Sequence, residues 1–204
     1  MPRIDIPRKS IYRLSIYQRC LGKLRENEVD TVSSEALAKA AGVKPTQLRK
    51  DLAYFGQFGT RGLGYNVDVL SSTIAQVLGQ NHLQPVILVG VGNLGSALLR
   101  YGGFRKEGFE VAAAFDIAPR PQLGLSIPIL NLTDMAAFIK EHQVKMAILT
   151  VPASNAQSVT NKMVDAGIQA ILNFSPTILD VPEHVVVNSV DLAVELENLS
   201  YFIR

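Results

Sequence analysis

Three glycines at one turn carry the clearest chemical signal in the sequence. The apolar run at residues 86–89 is typical of a buried parallel strand, and it leads into Gly90-Val-Gly92-Asn-Leu-Gly95 and then a helical pattern. In such a GxGxxG turn the first glycine permits a tight exit from the strand. The second lets the backbone approach a pyrophosphate, and the third lets the helix pack closely. Because the helix start also attracts phosphate, a nucleotide-binding turn is predicted at Gly90, Val91, Gly92, Asn93, Leu94 and Gly95.

An acid at the end of the next predicted strand, residues 109–116, narrows the choice of nucleotide cofactor. Asp116 is placed to accept hydrogen bonds from the adenosine ribose hydroxyls, and its charge would repel a 2′-phosphate, which favours NAD over NADP. GxGxxG alone is a weak signal, and the order strand, glycines, helix, strand and acid strengthens it. Other predicted cofactor-binding residues follow strand ends: Ile117, Thr150, Val151, Pro152 and Asn173.

The elements that must position these residues alternate along the chain. Strands are predicted at residues 86–89, 109–116, 146–151, 168–174 and 184–188, with helical patterns between most of them. This alternation is typical of a doubly wound, Rossmann-like parallel sheet, in which ligands bind beyond the carboxyl ends of the strands. The fold class predicted for this part of the chain is therefore α/β.

The first 67 residues carry a different pattern. Helices are predicted at residues 10–26, 33–42 and 45–55, and the last two are separated by a tight turn at Gly42. This is the helix-turn-helix arrangement, whose second helix can lie in the major groove of DNA. A glycine-rich hairpin at residues 57–67 would form a wing. The predicted DNA-binding residues are Lys44, Thr46, Gln47, Arg49, Lys50, Tyr54, Arg61 and Gly62.

The charge distribution agrees with a polyanionic partner for the first part of the chain. Residues 1–65 hold 12 Lys or Arg and 6 Asp or Glu, whereas residues 66–204 hold 8 and 12. The net charges are thus +6 and −4, although a solvated basic surface would give the same count.

The lone Cys20 excludes an intrachain disulfide and is expected to be buried. Neither a signal core, nor a membrane span, nor a metal-binding motif is recognisable, and a cytoplasmic location is expected.

The sequence offers a cofactor site without an evident catalyst. None of His82, His142 and His184 follows a predicted strand, where a dehydrogenase acid or base is needed. We therefore expect no catalytic residue and interpret the chain as a DNA reader joined to a nucleotide sensor. Two alternatives remain open: an NAD-dependent enzyme with a DNA-binding appendage, and a regulator that responds to CoA or another nucleotide.

Several motifs together resemble the Rex family of redox-sensing transcriptional repressors over essentially the whole chain. The matching segments lie in both halves: Ile6-Pro-Arg-Lys-Ser-Ile-Tyr-Arg-Leu14, Gln47-Leu-Arg-Lys-Asp-Leu-Ala-Tyr-Phe-Gly56, Arg61-Gly-Leu-Gly-Tyr-Asn-Val67, Gly90-Val-Gly-Asn-Leu-Gly95, Tyr101-Gly-Gly-Phe-Arg105, Ile148-Leu-Thr-Val-Pro152, Ile171-Leu-Asn-Phe174 and Leu199-Ser-Tyr-Phe202. The combination is far more specific than the glycine turn alone.

The resemblance implies a homodimer that binds an inverted-repeat operator and is released by NADH. It implies a winged-helix domain at residues 1–80, an NAD(H)-binding domain at residues 81–190, and a C-terminal dimerisation helix at residues 191–204 that is exchanged between subunits. NADH would bind more tightly than NAD⁺. We also hypothesise that Arg19, Tyr101 and Asp191 couple the two domains, because all three fall in or near matching segments and their charges are complementary.

Overall fold

The computed structural model describes residues 6–56, 58–60, 63–80, 82–120 and 124–203. The chain divides into two compact units, Met1–His82 and Leu83–Arg204, which we describe separately. The predicted wing residues Arg61 and Gly62 lie outside the described residues.

The first unit is a helical domain with a small antiparallel sheet. Its elements in chain order are α1 (Arg8–Glu26), β1 (Thr31–Val32), α2 (Ser34–Ala40), α3 (Pro45–Ala53), β2 (Gly59–Thr60), β3 (Gly64–Asn66) and α4 (Val67–Val77). Strand β3 lies between β1 and β2. The two strands β2 and β3 form the predicted wing hairpin.

Local signals fix the turn between α2 and α3 as predicted. The Ser33 hydroxyl caps α2 by accepting a hydrogen bond from the Ala36 amide at 3.0 Å. Gly42 takes a left-handed φ of 68°, and Pro45 occupies the first turn of α3. The apolar face of α3 is then buried through Leu48 and Leu52, and this face packs in one core with residues of α1, α2 and α4.

The second unit is a parallel sheet with helices between its strands. Its elements are β4 (Gln84–Val89), α5 (Asn93–Leu99), α6 (Gly103–Lys106), β5 (Phe109–Asp116), β6 (Ile129–Asn131), α7 (Met135–Glu141), β7 (Met146–Leu149), α8 (Ala153–Ala166), β8 (Ala170–Asn173), β9 (Val186–Ser189) and α9 (Leu192–Tyr201). The strand order is β6-β5-β4-β7-β8-β9, and every neighbouring pair is parallel. The order reverses between β4 and β7, which makes a crevice at their carboxyl ends.

Strand β4 shows why this sheet needs cover on both faces. Its residues alternate between two apolar clusters: Ile87 and Val89 belong to one, and Val86 and Leu88 to the other. All four are buried. A continuous apolar run is what a parallel strand with helices on both sides requires. With this parallel sheet in the second unit and the α2–turn–α3 arrangement in the first, the predicted α/β class with an N-terminal helix-turn-helix is confirmed.

Two sequence predictions differ from the structure. The first strand of the sheet is predicted to begin at residue 86, but β4 begins at Gln84, where the Gln84 amide donates to the Gly108 carbonyl at 2.8 Å. Cys20 is only partly buried rather than buried, because it lies at the margin of the first core. In the described part of the chain, no helix is long and apolar enough to cross a membrane.

Candidate functional sites

The glycine turn after β4 has a different constraint at each glycine. Gly90 has a φ of +100°, and an added Cβ would lie 2.8 Å from the Thr150 backbone. A Cβ on Gly95 would collide with the Gly90 carbonyl, so this glycine sets the close packing of α5. Gly92 faces open space and has an ordinary φ of −75°. Since packing does not require a glycine there, Gly92 is free to serve a ligand.

Asp116 lies beside this turn at the end of β5. Its Oδ2 accepts the Val91 amide N–H at 2.7 Å, and its Oδ1 accepts the Ala118 amide N–H at 2.9 Å. The carboxylate is half-buried and therefore still open on one side. It thus holds the turn, and its accessible side would suit the ribose contact predicted for an acid at this position.

The opposite wall comes from the loop after β7. The Thr150 hydroxyl donates to the Gly90 carbonyl at 2.6 Å, which ties this loop to the glycine turn. The Ser175 hydroxyl donates to the Val151 carbonyl at 2.6 Å and holds the loop from the other side. The Thr150 hydroxyl therefore holds the loop against the glycine turn. Together with the Ser175 bond, it fixes the position of the loop backbone.

These walls enclose a cleft of about 450 Å³. It brings together most of the predicted cofactor-binding residues: Gly90, Gly92, Asp116, Ile117, Thr150, Val151 and Pro152. Val91, Asn93, Leu94 and Gly95 form the turn and the start of α5 without lining the cleft. Within the described part of the chain, no side-chain hydrogen bond caps the start of α5, so its first amides are available to a phosphate.

Asn173 has a different place from the other predicted residues. It is buried at the end of β8, and its Nδ2 donates to the Thr177 carbonyl at 3.0 Å and to the Ser189 hydroxyl at 3.2 Å. Its Oδ1 accepts the Ser175 amide N–H at 2.9 Å. These bonds hold the loop after β8, and Asn173 does not line the cleft described above.

Sequence reasoning missed several cleft residues: Val89, Phe115, Leu132, Asn155 and Val159. Asn155 lies in the first turn of α8, directly after the predicted strand-end loop, so a search one turn further along the chain would have found it. Asn155 and Val159 are four residues apart and thus share a helix face. Leu132 had no comparable signal. Among the described residues, no group of His, Cys, Asp or Glu is suited to hold a metal ion.

The first unit presents a basic face on α3. Lys44, Thr46 and Lys50 are exposed, and the two lysines make no ion pair with another described residue. Arg49 is exposed but held to α2, because its Nη1 donates to the Ser34 hydroxyl at 2.9 Å and lies 3.7 Å from Glu35. Tyr54 is half-buried just after the helix. Free cations beside a helix of this kind suit phosphate and base-edge contacts.

A buried carboxylate behind this face was not foreseen. Asp51 is fully buried on α3 and accepts hydrogen bonds from the Arg13 guanidinium, the Tyr17 hydroxyl (2.8 Å) and the Gln47 amide (2.9 Å). Burial alone would raise the pKa of Asp51, but these hydrogen bonds outweigh it and lower the pKa to about 2. Burial, followed by the bond to Asp51, raises the pKa of Tyr17. Asp51 is therefore ionised at neutral pH.

The three hypothesised coupling residues are divided between the two units: Arg19 belongs to the first, and Tyr101 and Asp191 belong to the second. Arg19 is exposed on α1. Tyr101 is exposed between α5 and α6, with its ring edge-on to Phe104 at 5.1 Å. Asp191 caps α9, because its Oδ1 accepts the amide N–H groups of Ala193 (2.9 Å) and Val194 (3.3 Å). Their role in coupling stays a prediction.

Comparison with known proteins covers both units. A family model described as a CoA binding domain matches residues 81–177. A second, described as a putative DNA-binding protein N-terminus, matches residues 5–53. A crystal structure of RSP in complex with beta-NAD⁺ and operator DNA superimposes with a TM-score of 0.91 at 36% identity, covering 98% of this chain and 94% of that chain. RSP in complex with beta-NADH gives 0.86 at 35% identity, covering 98% and 95%.

Relatives of known role extend over nearly the full length. The redox-sensing transcriptional repressor Rex of Syntrophobacter fumaroxidans is 48% identical over 200 residues, which cover 96% of this chain and 95% of that protein. Rex of Carboxydothermus hydrogenoformans is 45% identical over 207 residues, covering 100% and 99%. With such identity over both the DNA-binding and the nucleotide-binding units, the chain belongs to the Rex family of redox-sensing transcriptional repressors.

Proposed function

We propose that this protein is a cytoplasmic homodimer that represses transcription by binding an inverted-repeat operator and that NADH releases it from the DNA. The observation that carries the proposal is the presence of two sites in one chain. One is a helix-turn-helix with exposed cations, and the other is a cleft built from a glycine turn and a ribose-binding acid. The structures of RSP with NAD⁺, NADH and operator DNA support the same combination.

The cleft residues fit an adenine dinucleotide. The open space above Gly92 and the uncapped amides of α5 suit a pyrophosphate. Asp116 suits the adenosine ribose, and the adjacent Ile117, which is 73% exposed, offers an apolar surface to the adenine ring. The predicted contributions of Val91, Asn93, Leu94 and Gly95 are backbone contacts and close packing at the same turn.

The DNA contacts assigned to α3 follow from its exposed face. Lys44, Thr46 and Lys50 would contact phosphates and base edges, and Gln47 would contact a base. Arg61 and Gly62 would extend the interface through the wing. A dimer must place two such helices about one DNA turn apart, so a modest rotation abolishes simultaneous binding. NADH can act only through a higher affinity for the released state.

Helix α9 supports the homodimer. Its apolar side chains are exposed along its whole length, and so are the two that follow it, Phe202 and Ile203. Those within the helix are Leu192, Val194, Leu196, Leu199 and Tyr201. An apolar helix with none of its residues buried needs a further surface to cover it. We propose that a second copy of the chain supplies that surface by exchange of this helix.

The test is a fluorescence anisotropy titration. DNA that the cofactor-free protein selects from a random pool is bound at fixed salt, because phosphate contacts make affinity salt-dependent. NADH, NAD⁺ and NADPH are then added separately. Release by NADH far below the concentrations required of the other two is expected. Selection of DNA without an inverted repeat, or binding indifferent to all three nucleotides, would contradict the proposal.

CoA is the second candidate ligand, because the model matching residues 81–177 describes a CoA binding domain. CoA carries a phosphate on the adenosine ribose, and the Asp116 carboxylate disfavours a charge there. A CoA arm in the same titration separates the two ligands. DNA release by CoA that persists in an Asp116→Ala variant would favour CoA over NADH.

A further inference from the structure

The orientation of one side chain on α3 is set by the buried carboxylate behind it. Nε2 of Gln47 donates to Oδ1 of Asp51 at 2.9 Å, one helical turn further along. The hydrogen bonds that keep Asp51 ionised make it an acceptor only, so the amide group facing it must be the NH₂ and not the oxygen. The usual two-fold ambiguity of a glutamine amide is thereby removed at this position.

Asp51 itself is held against α1 by several bonds. Oδ1 also accepts Nη2 of Arg13 at 2.7 Å, and Oδ2 accepts the Tyr17 hydroxyl at 2.8 Å. Arg13 is 20% exposed, and Tyr17 is fully buried. The carboxylate is therefore a fixed point in the domain, and a side chain bonded to it inherits that rigidity.

After bonding Asp51, Gln47 keeps a second N–H and its Oε1, neither of which has a partner among the described residues. A primary amide presents this pair, side by side, to the N7 acceptor and N6 donor of adenine in the major groove. Gln47 is half-buried in the first turn of α3, and the N-terminal residues of a recognition helix are those that contact base edges. Its inner edge thus faces Asp51 while the outer edge stays accessible.

We propose that Asp51 is a positioning residue for operator recognition, which turns the Gln47 amide so that its Oε1 and remaining N–H read an adenine in each half-site. The proposal rests on the function proposed above, because it assumes that α3 enters the major groove. It assigns the Asp51–Gln47 pair a role in base selectivity, in addition to the part that Asp51 and Arg13 have in holding α1 and α3 together.

The experiment measures base preference at every position of the selected operator. Each base pair of the half-site is replaced in turn, and binding is measured by anisotropy at fixed salt. We expect wild-type protein to lose roughly 5- to 150-fold in affinity when one particular adenine is replaced, and Gln47→Ala to lose that preference while keeping the others. Asp51→Ala, which removes the acceptor of the Gln47 amide, should lose the preference at the same position. In the Gln47→Ala background, Asp51→Ala should cause no further change in base preference.

Arg13→Lys is the matched control for a purely structural role. This variant keeps a cation beside Asp51 and leaves the Asp51–Gln47 bond in place, so the adenine preference should remain. The variant protein should nevertheless be less stable, because lysine cannot make both guanidinium bonds to Asp51. Loss of the preference in Arg13→Lys, or its retention in Asp51→Ala or Gln47→Ala, would overturn the proposal. If wild-type protein selects no DNA at all, the proposed function fails together with this inference. Operator binding with an unchanged preference in Gln47→Ala removes this inference alone.

A measurement on the wild-type protein without DNA tests the proposal even if Asp51→Ala does not fold. The Gln47 side-chain amide is identified by NMR as the resonance pair that Gln47→Ala lacks. One of its protons should exchange with solvent more slowly than those of Gln169, an exposed glutamine. Two protons that both exchange as fast as those of Gln169 would show that Asp51 does not fix the amide.

Discussion

At the scale of single residues, Gly92 separates a requirement of binding from a requirement of folding. We expect Gly92→Ala to fold normally, because an added Cβ meets nothing within 4 Å and φ is −75°. It should weaken NADH binding by about 10- to 100-fold, since a Cβ keeps a phosphate from backbone N–H groups and each such charged hydrogen bond is worth about 1.5–3 kcal/mol. Isothermal titration calorimetry measures the affinity.

Gly102→Ala is the control for this variant. Gly102 lies in the same unit but not in the cleft, and its added Cβ also meets nothing within 4 Å. It should leave NADH affinity unchanged, and both variants should melt at the wild-type temperature. Equal NADH affinity in the two variants would exclude a pyrophosphate at Gly92.

Asp116 combines two roles that a pair of substitutions can separate. Asp116→Asn keeps an oxygen for the Val91 amide but removes the charge, so discrimination against NADPH should fall while the turn persists. Asp116→Ala also removes the acceptor, so NADH affinity should fall further. The NADPH-to-NADH affinity ratio, measured by calorimetry, checks this. If that ratio is unchanged in both variants, the Asp116 charge does not select the cofactor.

The location of a predicted site residue can be anticipated where it depends on local spacing, while its role stays a prediction. The glycine turn and Asp116 are separated by elements of regular length, so their meeting in one cleft could be predicted. The Asp51 network joins residues 34 and 38 positions apart, and no local pattern indicates which side chains a buried acid will meet. Asn173 lies at the predicted strand end, but its side chain bonds Thr177 in the loop after β8 and Ser189 at the end of β9, partners that its own position in the sequence does not reveal.

At the scale of elements, the periodicity of apolar residues predicted the helices well, whereas the bounds and order of the strands depend on which strands pair. Strand β5 has its predicted bounds, 109–116, because its apolar run is continuous. Strand β4 begins two residues before its predicted start at residue 86, because Gln84 pairs with Phe109, a partner that local sequence does not reveal. The strand order of the sheet likewise depends on long-range pairing and not on any single segment.

The bond between α1 and α3 predicts an acid-sensitive domain. The pKa of Asp51 falls from 3.8 to about 2 on folding, so its stabilisation is complete above pH 4 and is lost as the pH falls toward 2. The effect is about 2 kcal/mol. Asp51→Asn should therefore be less stable at pH 7 and show a smaller loss of stability between pH 5 and 2. Urea unfolding followed by circular dichroism measures both, and parallel pH profiles would contradict the argument.

At the scale of the whole molecule, α9 predicts assembly. Leu196 is 67% exposed, and burying a leucine stabilises by about 1.5–3 kcal/mol, counted twice in a symmetric dimer. Leu196→Glu should therefore raise the dimer dissociation constant by at least about 100-fold. Glu197→Gln on the same helix is the control and should leave the dimer intact. Sedimentation velocity over a concentration series distinguishes them, and a dimeric Leu196→Glu protein would place the interface elsewhere.

The coupling between cofactor and operator is a property of the whole molecule and must be reciprocal. If NADH weakens operator binding by some factor, operator DNA must weaken NADH binding by the same factor. We expect Arg19→Ala to bring both factors toward one, because the hypothesis assigns the coupling to Arg19, Tyr101 and Asp191. NADH affinity without DNA and operator affinity without NADH should stay near wild type. Four titrations measure both factors: NADH binding with and without operator DNA, and operator binding with and without NADH. If NADH still releases Arg19→Ala from the operator as it releases the wild type, the coupling belongs to other residues.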